Sequence, residues 1–131
     1  MNWRYEHTAL ALCTLAFTGT MVARLVVSPL VPEITAEFDV TNGTVGLALS
    51  GMWLTYALAQ FPSGVLGDRF GERRVILTAV GATAVASVLL AASPSIVAFA
   101  LFAAVLGVGA GLHYSVATTF LTRQFDDTGR A

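Results

Sequence analysis

The chain of 131 residues contains no lysine; all seven of its basic residues are arginine. Charge of any sign is scarce, at 11% of residues, where a soluble domain carries about 25%. Residues 40–67 and 75–122 hold no Asp, Glu, Lys or Arg at all. The formal net charge is −1, so no global field favours nucleic acid, and none is expected as a partner. Cys13 is the only cysteine, which excludes an internal disulfide and a cysteine-based metal site. Set in "LALCTLAF", it reads as a small buried hydrophobe. There is no P-loop, no nucleophile constellation and no metal-ligand cluster. No catalytic role and no cofactor are therefore expected. What fills the space left by charge is apolar: 56% of the chain.

A crossing helix needs about 20 mostly apolar residues. Residues 7–28 and 44–66 each fit one crossing. The uncharged run at 75–122 would extend roughly 70 Å as a single helix, too long for one crossing. Pro94, between Ser93 and Ser95, breaks it, because the residue before a proline avoids helix. Two further spans, 74–92 and 95–121, result. The fold class expected is an all-α integral membrane protein with four transmembrane helices. A soluble bundle would show a polar face every 3.6 residues, and 75–92 has no charge on any face. The N-terminal apolar run exceeds the about 7–15 residues of a signal core and has no clear small-residue cleavage site. It reads as a retained membrane helix.

Arginine placement sets the orientation. With the N-terminus inside, the inside segments hold Arg4, Arg69, Arg73, Arg74, Arg123 and Arg130, and the outer loops hold none. Both ends are then expected in the cytoplasm, in a cell membrane. Pro29 and Pro32 should end or kink the first helix, and Thr41 or Asn42 should cap the second.

Five charges are packed into residues 64–74, "GVLGDRFGERR". A tight inside turn over 67–74, permitted by Gly67 and Gly71 and held by arginines, explains part of this. It does not explain Gly64 one turn before Asp68, or an acid at the membrane boundary. The order Gly64, Asp68, Arg69, Gly71, Arg73, Arg74 resembles the signature loop of the major facilitator superfamily (MFS). This chain departs from the family at Glu72, where a basic residue is usual. The glycines of "LGVGAGLHY" also resemble the family's fourth-helix pattern, although the arginine often found there falls at Ala103 and is absent.

The resemblance implies a secondary transporter that moves a small solute by alternating access. It implies that the signature loop is a conformational gate contacting a neighbouring domain, and that the first and fourth helices line the cavity. Intramembrane ionisable residues are functional candidates, which singles out Arg24 and His113. Arg24 can snorkel to the outer headgroups or attract an anionic substrate. His113 can be a packing residue, a substrate contact or a proton site. By helix rise they lie on opposite sides of the midplane. Tyr56 and Gln60 are one turn apart and complete the candidate cavity set. Trp53 needs no role. The family has about twelve spans, so the chain is expected to be the partial N-terminal domain of a transporter, inactive without the remainder. A dimeric four-helix exporter is the alternative, although its membrane-embedded glutamate is missing from the first span. A non-transporting membrane assembly subunit is the other alternative.

Overall fold

The computed structural model describes residues 3–129, so Arg130 lies outside it, as do the side chains of Trp3 and Arg4. Helix α1 covers Trp3–Leu25, and a 3₁₀ turn at Ser28–Leu30 leads into α2, Val31–Phe38. Then come α3, Asn42–Phe70, α4, Glu72–Ala91, and α5, Ile96–Gly129. The described residues contain no strand, and the fold is all-α.

Among the described residues, three segments are long and apolar enough to cross a membrane: Tyr5–Phe38, Glu72–Ala91 and Ile96–Arg123. The expected count of four is reached only by including α3, which has 29 residues but is not among them. Its middle carries Thr55, Tyr56, Gln60, Pro62 and Ser63. Some of that polarity is turned inward. Ser63 has no exposure, and the Thr55 hydroxyl donates to the Ala104 carbonyl of α5 at 2.9 Å.

Local chemistry places the helix ends. Pro29 and Pro32 are the second residues of the 3₁₀ turn and of α2, within the first turn, where a missing N–H costs nothing. Asp39 ends α2 in the left-handed region at φ 51°. Thr41 caps α3, its hydroxyl accepting from the Thr44 N–H at 3.3 Å. Ser95, just past Pro94, accepts from the Ala98 N–H at 3.2 Å and starts α5. The charged turn, expected over 67–74, contracts to one residue: Gly71, at φ 88°, joins α3 directly to α4.

Helix α5 is the hub. It runs parallel to α3, with Gly107 against the backbone of Met52 and Gly111 against that of Tyr56. A Cβ at either glycine would overlap those carbonyl oxygens. Helix α4 runs antiparallel on another face of α5, where a Cβ at Gly109 would stand 2.7 Å from the Thr83 hydroxyl. Met52, Ala86, Ala103 and Leu106 form the central core, with Ala23 of α1 packed against it. The family arginine could not stand at position 103 without rebuilding this core, because Ala103 has no exposure. A second cluster, Val27, Ala48 and Phe99, is closed by Ile34 and Phe38 of α2. Helix α1 is the least embedded of the long helices. It meets α5 through Phe17 on Tyr114, ring centres 5.8 Å apart.

Candidate functional site: a charged helix corner and a buried arginine

The one-residue turn at Gly71 brings the end of α3 against the start of α4. Asp68, Arg69, Arg73 and Arg74 all stand exposed at this corner. Gly64, one turn before Asp68, has nothing within 4 Å of where a Cβ would point. The face of α3 carrying Gly64 and Asp68 is therefore open to a neighbour. Phe61, on the same face, is 94% exposed.

Helix α5 returns to this corner. Val116 packs beside Gly67, and Arg123, two turns further along the same face, reaches both acids. One guanidinium nitrogen donates to Asp68 Oδ1 at 3.1 Å. Another lies 2.8 Å from Glu72 Oε1, an ion pair by distance rather than an aligned hydrogen bond. The Asp68 side chain is 68% exposed and that of Glu72 only 16%. Arg69, Arg73 and Arg74 form no ion pair among the described residues. Sequence reasoning counted Arg123 only as an inside arginine. Its pairing depends on where the end of α5 returns, which no local pattern encodes.

Arg24 does not snorkel. It is 2% exposed, and its guanidinium lies 4.1 Å over the Tyr56 ring and 5.1 Å from the Trp53 ring. These two rings meet edge-on, 84° apart. Nε donates to the Thr20 carbonyl at 3.3 Å, and Nη2 contacts Met21 Sδ at 3.1 Å. Nη1 is buried with no partner. Tyr56 and Arg24, both candidates from the sequence, are thus joined. Trp53, to which no role was given, belongs with them, and its spacing of three residues from Tyr56 was the available signal.

The remaining candidates stand apart. Gln60 is half-buried on α3. His113 has no exposure, and neither ring nitrogen has a hydrogen-bond partner. It lies one turn beyond Gly109, on the side of α5 that meets α4, and makes no hydrogen bond with Arg24. A cavity of about 210 Å³ does lie between α1 and α5, but Cys13, Phe17, Tyr114 and Thr118 line it, not Arg24 or His113. No group of histidine, cysteine and acidic side chains among the described residues could hold a metal.

A sequence profile of the Major Facilitator Superfamily matches residues 10–131. A multidrug resistance protein B homolog of Mycobacterium tuberculosis is 32% identical over 112 residues, 86% of this chain and 21% of that protein. The probable sulfoacetate transporter SauU of Cupriavidus necator is 28% identical over 117 residues, 89% of this chain and 27% of its own length. The membrane sensor protein UhpC of Salmonella typhimurium is 32% identical over 99 residues, 76% and 22% respectively. The chain thus spans between about a fifth and just over a quarter of these relatives. No solved structure matches it.

Proposed function

Because this chain belongs to the major facilitator superfamily, we propose that it works as part of the N-terminal half of a membrane transporter, moving a small solute by alternating access. The observation that carries this reading is the α3–α4 corner: Gly64 open, Asp68 exposed beside it, and the arginines in signature order. Asp68 engages the N-terminus of a helix in the neighbouring domain. A carboxylate gains about 0.3–1 kcal/mol there, and up to ~2 when partly buried. The glycine lets that helix approach closely. Docking closes the inner side, and release opens it.

Arg24 is the leading candidate for solute contact. A buried guanidinium with one nitrogen unpaired is costly inside a membrane, and it would receive an anionic group of the solute. Tyr56 and Gln60 line the approach on α3. His113, buried on the side of α5 that meets α4, contributes as a packing group. The arginine-rich corner lies in the cytoplasm, so both ends of the chain are inside and the membrane is the cell membrane.

The test is Asp68→Asn in the full-length transporter reconstituted into liposomes. Turnover should fall by roughly 2- to 5-fold, and by up to ~30-fold if the carboxylate is partly buried in the docked state. Membrane insertion, read by protease protection, should not change. Normal turnover in this variant would overturn the gate reading.

A further inference from the structure

The end of the bundle opposite the charged corner holds a cavity of about 480 Å³, within the about 300–1,000 Å³ usual for small-molecule sites. The end of α1, helix α2, the end of α4 and the start of α5 border it. Its floor is apolar. Val27, Phe38, Leu90 and Phe99 line it, and the Phe38 and Phe99 rings lie 6.0 Å apart, tilted by 56°. Its rim is charged. Glu33 and Glu37, one turn apart on the same face of α2, both line it and are both exposed. Neither forms an ion pair among the described residues. Residues 25–68 and 75–122 contain no Lys or Arg to answer them. Arg24, just before this stretch, is 2% exposed against Tyr56 and Trp53 and does not line the cavity.

We propose that this recess binds a monovalent organic cation with an aryl or alkyl body, at a site separate from Arg24. Burial of the body against the apolar floor supplies the non-directional part of the affinity. The two glutamates supply the choice of sign. A small metal ion is a poor match, because it needs six or more oxygen ligands and the rim offers two carboxylates. A diffuse cation keeps its charge near those carboxylates and also suits the faces of the two phenylalanine rings. The occupant is opposite in charge to the group proposed for Arg24, so charge tells the two sites apart. It would also fasten α1, the least embedded long helix, to α4 and α5.

The experiment uses the full-length protein in detergent, in a background otherwise free of cysteine, with the single substitution Ser93→Cys. Ser93 is a half-buried lining residue at the α4–α5 turn. Its labelling by a maleimide is followed with tetraphenylphosphonium as the probe, and saturable slowing is expected. Tetraphenylborate has the same shape and the opposite charge and should not slow it. Tetramethylammonium, a charge without an aryl body, and Mg²⁺ should not slow it at the same concentration. Glu33→Gln and Glu37→Gln should each weaken the protection by up to about fivefold. Asp39→Asn should leave it unchanged, because Asp39 is exposed at the same end but does not line the recess. Glu33→Lys with Glu37→Lys should turn the preference to tetraphenylborate.

Equal protection by tetraphenylborate or by Mg²⁺ overturns the proposal, as does protection that survives both glutamine substitutions together. An effect of Asp39→Asn as large as that of Glu37→Gln also overturns it, since the end of the bundle would then act only through its overall charge. In vesicles of phosphatidylethanolamine, protection that is complete before the probe is added would assign the recess to a lipid amine and overturn the small-cation reading.

Discussion

Arg24 carries its charge into the contact between α1 and α3 without a carboxylate to meet it. Two aromatic faces and a main-chain carbonyl take that place. A desolvated cation–π contact is worth about 2 kcal/mol or more, an exposed one about 0.5–1. Lysine keeps the charge but not the planar group that stacks on both rings. Arg24→Lys should therefore destabilise the protein by about 1–2 kcal/mol, measured as a lower melting temperature in detergent. A double-mutant cycle with Tyr56→Leu should return most of that energy as coupling. Melting as for the parent would show that the rings do not hold the guanidinium. From the sequence, Arg24 was legible as an intramembrane charge, because its isolation in an apolar run is visible. Its choice of Trp53 and Tyr56 was not legible, because that depends on which face of α3 meets α1.

At the scale of elements, the close approach of α5 to α3 depends on two glycines spaced by four residues. In a membrane no hydrophobic force presses helices together, so backbone proximity and van der Waals contact must do it. Gly107→Ala would drive a methyl group into the Met52 carbonyl and the Thr55 hydroxyl. A cost of about 1–3 kcal/mol is expected for such overpacking. The Thr55 hydrogen bond to Ala104 should be lost with it, read as faster hydrogen exchange along α3. Gly46→Ala is the control. Nothing lies within 4 Å of that position, and the change should be neutral or stabilising by up to about 1 kcal/mol. The glycine spacing was readable in the chain and pointed to close packing. It did not say that Gly107 and Gly111 serve α3 while Gly109 serves α4. At about 100° per residue, positions two apart point about 160° from one another around the helix, toward different neighbours, and only the assembled bundle supplies those neighbours.

As a whole molecule, the chain holds one well-packed unit of α3, α4 and α5, with α1 attached more lightly. The open face of α3 at Phe61 and Gly64 is left uncovered in this unit, and Asp68 at its end is met by Arg123 of α5. Alternating access requires two bodies that close around a shared site near the midplane. On the proposed transporter reading, the 131-residue polypeptide alone should produce no solute flux above empty vesicles, whereas a polypeptide that adds the second body should transport the solute. Flux through the isolated polypeptide would contradict the need for a second body.

Scarcity of charge and the length of its apolar runs were enough to determine that this chain is a helical membrane protein. The ordered glycines, acid and arginines at 64–74 were enough to place it in its family. Both properties are local: bilayer thickness and turn chemistry act on consecutive residues. Tertiary structure alone decided that the turn is one glycine long, that α3 turns part of its polarity inward, that Trp53 faces Arg24 and that Arg123 holds Asp68 and Glu72. Each of these joins residues from different helices, and the crossing of helices is set by packing over their whole length rather than by any one segment.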